Sequence, residues 1–254
     1  MSQQSSEPNN RFNDSLELLD LNEDGEVNFT IKNHALVGKV LSEVAAKHLT
    51  INAILRKAWK FPDLECHDLG KNIFLFVFQS LEERLRVLGN RPWAVQDRLL
   101  VLKEWLPEVA FEELDFTTED FRIQVHNLTI TLITPKNIKK IGSLFSRCYG
   151  SNFNKKDKVK WDGHLNIRVA IRVEDPLKIG FILNRKSYKP LEVCFKYEQI
   201  PKFCYKCGRI GHGEKECWHD MSFFKLSGRF RPWLRATHTW KERRTLNPLN
   251  TGEH

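Results

Sequence analysis

The segment Cys204-Tyr-Lys-Cys207-Gly-Arg-Ile-Gly-His212-Gly-Glu-Lys-Glu-Cys217 constrains this chain more than any other. Its spacing is Cys-x2-Cys-x4-His-x4-Cys. Three thiolates and one imidazole make a closed tetrahedral donor set of the kind that holds a structural Zn²⁺, and no position is left for a catalytic water. Fourteen residues have no core of their own. The ion must therefore supply the folding energy, about 10–16 kcal/mol in zinc-finger peptides. Gly208 and Gly211 permit the positive-φ turns that let so short a loop encircle an ion. His219 is a competing imidazole, but the regular spacing favours His212. The expected ligands are Cys204, Cys207, His212 and Cys217, and one structural zinc is the expected cofactor.

The remainder of the 254 residues is long enough for one or two domains, and 41% hydrophobic with 11% aromatic content excludes wholesale disorder. No apolar run approaches the ~18–20 residues that span a bilayer. The start, Met-Ser-Gln-Gln-Ser-Ser-Glu-Pro, lacks the charged and apolar regions of a secretory signal. A soluble chain in a reducing compartment is expected, with no membrane partner, so the six cysteines read as ligands or core rather than disulfides. Charge is unevenly spread. Residues 1–32 carry seven acids against Arg11 and Lys32, whereas the rest of the chain nets +13, a field that favours polyanions.

Residues 1–32 read as an acidic, disordered and turn-rich N-terminus. Residues 33–106 read as an α+β domain. Ala35–Leu41 has the β-branched character of a strand, and Thr50 can cap a helix with Ile51, Ile54, Leu55 and Ala58 on one face. Leu64–Leu69 alternates weakly before a turn at Gly70-Lys-Asn72, and Ile73-Phe-Leu-Phe-Val-Phe78 is the strongest strand. Ser80 then caps a helix with Leu81, Leu85 and Leu88 on one face, and Arg98–Leu102 is a fourth strand. The order β-α-β-β-α-β is that of a ferredoxin-like, RRM-like domain. Phe74, Phe76 and Phe78 share one side of their strand. Their size favours core beneath the helices over an RNA-stacking platform.

Pro107 and an acidic stretch (Glu112, Glu113, Asp115, Glu119, Asp120) read as a linker to a second, smaller β-α-β-β block at 119–200. It comprises a strand at Phe121–Val125, a helix opened by Thr134-Pro135, and strands at Leu165–Val173 and Leu191–Tyr197. Residues 136–162 concentrate a net +6. The knuckle at 201–218 follows, then a basic aromatic tail at 219–254 with a net charge of +4, Asp220 included.

The metal segment resembles a retroviral-type CCHC zinc knuckle. Its context is similar to a plant family of retroelement-derived proteins with an N-terminal domain of unknown function and one such knuckle. The resembling stretches are Leu36-Val-Gly38, Asn72–Phe78, Pro92-Trp93, Val125-His-Asn-Leu128, Lys140-Ile-Gly142, Phe195-Lys-Tyr-Glu198 and Pro232-Trp-Leu-Arg235. The resemblance implies nucleic-acid binding. From the residues themselves, Tyr205 is the candidate stacking ring with Ile210 beside it, and Lys206, Arg209 and Lys215 are candidate phosphate contacts. Tyr205 can instead pack on its own domain, and Trp218 can either extend the platform or dock the knuckle. Arg231, Trp233 and Arg235 join basic and aromatic character in the tail, against the alternative that Phe230, Trp233 and Leu234 dock on the globular part.

Asp20–Ile31 imitates a calcium loop but has Ile31 where the bidentate Glu belongs. Cys66-His67, Cys148 and Cys194 lack partner spacing, and no catalytic arrangement is present. The expectation is a non-enzymatic binder of single-stranded RNA or DNA, nuclear rather than cytoplasmic. The alternative is a protein–protein adaptor in which the knuckle is only a staple.

Overall fold

The computed structural model describes residues 19–22, 25–151, 163–219 and 230–236. Its first half runs α1 (Gly25–His34), β1 (Ala35–Val40), α2 (His48–Trp59), β2 (Glu65–Gly70), β3 (Ile73–Val77), α3 (Leu81–Gly89), β4 (Trp93–Val95) and β5 (Arg98–Glu104). These strands form one antiparallel sheet in the order β2-β3-β1-β5-β4. The six expected elements occur in the expected sequence, with two additions.

The first addition is α1, which corrects the reading of residues 1–32 as turn-rich. Glu26 in its first turn and Lys32 and His34 in its last complement the helix dipole, so Gly25–Lys32 is helical rather than a calcium-type loop. Residues 1–18, 23 and 24 lie outside the described residues. The second is β4, joined to β5 through Gln96 and Asp97 at φ 49° and 61°. Two consecutive positive-φ residues make the tight hairpin turn that matches strand twist.

Ser80 caps α3 as expected, accepting from the Glu83 amide at 3.3 Å. Thr50 does not cap α2; the helix begins at His48, with Lys47 in the capping position. The face of α3 is also corrected. It buries Arg84, Val87 and Leu88, while Leu81 and Leu85 are 40% and 50% exposed. Arg84 can be buried because its Nη1 donates to Glu104 Oε1 at 2.9 Å. Leu36, Phe74, Phe76, Leu100 and Leu102 point from the sheet to Ile51, Leu55 and Trp59 of α2 and Val87 of α3, forming one core.

The second half comprises β6 (Thr118–His126), α4 (Pro135–Gly142), β7 (Arg147–Ser151), β8 (His164–Arg172), β9 (Gly180–Arg185) and β10 (Tyr188–Tyr197). Thr134 caps α4, accepting from the Asn137 amide at 3.2 Å, with Pro135 as the first helical residue. The expectation of a smaller block is overturned: β7 and β9 complete a second five-stranded antiparallel sheet, ordered β7-β8-β6-β10-β9. Strand for strand, this order repeats that of the first sheet. Turn and extended chain at 173–179 stand where the first half has α3. The lysines at 155, 156, 158 and 160 lie outside the described residues.

The halves are joined by apolar packing and by a buried polar clamp. Val37, Ile73, Leu99 and Val101, on the face of the first sheet opposite the helices, share a core with Phe121, Ile123, Val125, Ile167, Val169 and Phe195 of the second. Two of the acids read as linker are part of this join. Glu119 and Asp120 lie in β6 and are buried. Glu119 Oε2 accepts from the Leu102 amide at 2.7 Å, and Asp120 Oδ2 sits 2.7 Å from Arg91 Nη2 and 3.1 Å from Arg168 Nη2. Burial pushes the Glu119 carboxyl up to about 7, against the opposing pull of Arg91 and the backbone N–H donors.

Candidate metal centre

The chain leaves β10 and enters the loop that carries the four predicted ligands. One donor atom from each of Cys204, Cys207, His212 and Cys217 lies within 4.8 Å of every other, and Cys207 Sγ is 3.3 Å from His212 Nε2. Tetrahedral bonds of ~2.0–2.3 Å place neighbouring ligand atoms roughly 3.3–3.8 Å apart. The cluster therefore fits one structural zinc ion. The loop is closed by the Gly208 amide donating to Cys204 O and the Cys204 amide donating to Arg209 O, both at 2.8 Å. Gly208 and Gly211 have φ of +75° and +105°, as the tight path requires.

The electrostatics agree with this donor set. Burial raises the Cys204 thiol to about 11. Burial opposes ionisation of Cys217 too, but its hydrogen bonds with the His219 backbone and the Cys204 and Cys207 thiols bring it below its ordinary value. His212 is lowered, by burial first and then by nearby His219, and is thus held neutral, the form that ligates. A bound dication would deprotonate the Cys204 thiol, which resists ionisation here.

The knuckle is fastened to both sheets. Arg98 Nη1 of β5 donates to Gly211 O at 2.6 Å, and the Lys202 amide donates to Asp97 O at 3.1 Å. From the second half, the Leu177 amide donates to Gly208 O at 2.9 Å, and Arg209 Nε donates to Glu174 O at 2.7 Å. Phe203, Ile210, Phe230 and Leu234 belong to the shared core. Phe230 lies directly over Gly208: a Cβ there would sit 2.3 Å from its ring. Sequence reasoning missed this docking set, since none of Arg98, Glu174 or Leu177 stands near the ligands in the chain.

The proposed nucleic-acid residues separate accordingly. Lys206 and Lys215 are exposed, and Trp218 is 65% exposed. Ile210 is only 8% exposed and paired with Phe203 across a β-bridge, which withdraws it from any stacking platform. Tyr205 is half-buried, packed on the shared core with its ring edge-on to Phe203 at 5.0 Å. Arg209 is committed to the Glu174 carbonyl. Arg235 is engaged within the fold: it donates to Ile200 O and to Pro201 O and lies over the Phe203 ring at 5.2 Å. Phe230 and Leu234 dock, whereas Trp233 is 41% exposed and Arg231 faces Glu214 at 3.9 Å. Trp240 and the other tail residues at 220–229 and 237–254 lie outside the described residues.

Phe74, Phe76 and Phe78 are core, as their size indicated. The opposite face of that sheet carries Val37, Ile73, Leu75, Leu99 and Val101 and is packed in the shared core, so it offers no stacking rings. Cys66 is buried, and its thiol is raised to about 12, chiefly by burial.

Comparison with known families gives two matches. Residues 32–113, spanning β1 to β5, match a domain of unknown function, DUF4283. Residues 171–219, from the end of β8 through the ligands, match a zinc knuckle. The chain carries a DUF4283 domain followed by a zinc knuckle. The knuckle match takes in β9 and β10 as well as the metal loop. No curated protein matches the chain. Among the described residues, no helix of the DUF4283 domain or the second sheet is long and apolar enough to cross a membrane.

Proposed function

We propose that this chain is a non-enzymatic nucleic-acid-binding protein of plant retroelement origin, engaging single-stranded RNA or DNA in the nucleus. The observation that carries the reading is where the charge lies relative to the zinc site. Residues 118–151 and 163–219, which hold the second sheet and the knuckle, carry sixteen Lys and Arg against eight Asp and Glu. Residues 25–117 carry twelve against thirteen. The positive half is the one that carries the four metal donors, and a closed Cys3His shell supports a structural rather than a catalytic ion. The domain order and the short stretches that resemble the plant family support the origin. The strand order β2-β3-β1-β5, with α2 and α3 on one face, supports a ferredoxin-like, RRM-like unit used here as scaffold.

Lys206→Gln with Lys215→Gln tests the reading, because both side chains are exposed on the knuckle and neither is a ligand. Two lost phosphate contacts should lower the slope of log affinity against log salt by about 1.4 for a single strand. An unchanged slope, or no single-strand binding by the wild type, overturns it.

The burial of Ile210 and half-burial of Tyr205 favour a second reading, an adaptor whose knuckle staples the two halves. In that case the double variant retains its protein partner and no oligonucleotide binds in a salt-dependent way.

A further inference from the structure

The ring expected to stack on a base, Tyr205, is turned against the protein, while the most exposed aromatic on the knuckle is Trp218. Its indole lies 4.9 Å from the His212 imidazole, tilted by 33°, and 5.0 Å from His219. A metal bound at His212 would hold the imidazole against which the indole packs. A ring held in place before a ligand arrives loses little rotamer freedom on binding. These rings open onto a groove of about 670 Å³, which they share with Lys39 of β1, with Leu41 just after that strand and with Phe116. That volume falls within the ~300–1,000 Å³ range of ligand clefts.

Charge narrows the occupant. Lys39 and Arg209 face Asp115 and Glu174 around the groove, so its lining is balanced. A balanced, ring-bearing cleft suits a neutral base, with Lys39 of its lining available to the phosphate that adjoins that base. Building the groove also takes residues from both halves: β1 belongs to the DUF4283 domain, and the rings belong to the knuckle.

We propose that this groove receives one base of a single strand, stacked on Trp218, with Lys39 contacting the adjoining phosphate, so that the DUF4283 domain and the knuckle bind the strand jointly. The proposal rests on the nucleic-acid reading and names the site that reading left open.

The test uses the zinc-loaded full chain and fluorescein-labelled single-stranded oligonucleotides of mixed sequence, read by anisotropy across a salt series. Zinc content, measured for each variant, reports that the knuckle is intact. Trp218→Ala should lose about 5- to 100-fold in affinity, Trp218→Phe should keep most of it, and Lys39→Gln should reduce the salt slope by about 0.7. Wild-type affinity in Trp218→Ala with zinc retained overturns the groove while leaving the functional reading in place. Absence of single-strand binding by the wild type instead overturns that reading. Should Trp218→Ala lose its zinc, Lys39→Gln decides, and an unchanged salt slope in that variant overturns the proposal.

Discussion

Gly208→Ala probes how the knuckle is held, and its cost can be worked from two parts. Gly208 has φ +75°, where an L side chain meets the following carbonyl, at about 1–2 kcal/mol. The new Cβ would also stand 2.3 Å from the ring of Phe230, which is 1% exposed. That ring must move, forfeiting much of the roughly 1.5–3 kcal/mol that burying a phenylalanine contributes. The expected loss is about 3–5 kcal/mol from these parts together. The assay is urea unfolding of the zinc-loaded chain for Gly208→Ala, Phe230→Ala and the double variant. With the ring already gone, Gly208→Ala should cost only its backbone part, about 1–2 kcal/mol, so the cycle should show coupling of about 2 kcal/mol. Additive single costs, or a loss below about 1 kcal/mol for Gly208→Ala alone, would refute the claim that the metal loop is pinned beneath Phe230.

Asp120→Ala removes the acceptor shared by Arg91 and Arg168 at the join between the sheets, and should cost about 1.5–3 kcal/mol in chemical denaturation. A cost like that of an exposed ion pair would contradict the clamp. Glu119 makes stability depend on pH. Its carboxyl is raised to about 7 in the folded chain against an ordinary value of 4.5, so between these values the folded state holds a proton that the unfolded state has lost. Stability should therefore fall as pH rises from about 5 to 7, by on the order of 3 kcal/mol, and level off above. The difference between wild type and Glu119→Gln isolates this effect from the pH dependence of zinc binding, and a flat difference would contradict it.

The sequence made some features visible because they are local. The caps at Ser80 and Thr134 depend on residues within three positions, and the ligand spacing of Cys204 to Cys217 encodes its own geometry. Other features depend on partners distant in the chain. Arg84, not Leu81 or Leu85, lies on the buried face of α3, where its Nη1 donates to Glu104, twenty residues on. Ile210 and Arg235 looked like contacts for a ligand, but the first bridges Phe203 and the second binds the carbonyls of Ile200 and Pro201. Glu119 and Asp120 stand in an acidic run that reads as linker, and only the fold brings Leu102, Arg91 and Arg168 around them. β7 carries Gly150 and mostly polar residues, so its pairing to β8 rather than its own pattern makes it a strand. The repeated strand order of the two halves is likewise a property of pairing, and no periodicity in the sequence announces it.

Metal content of the purified full chain tests the account most directly. Elemental analysis should give one zinc per chain, falling to none in Cys207→Ser and after chelation, with loss of the packing that Phe203, Ile210 and Phe230 provide. Purified chain with well under one zinc, folded and unaffected by chelator, would contradict the account.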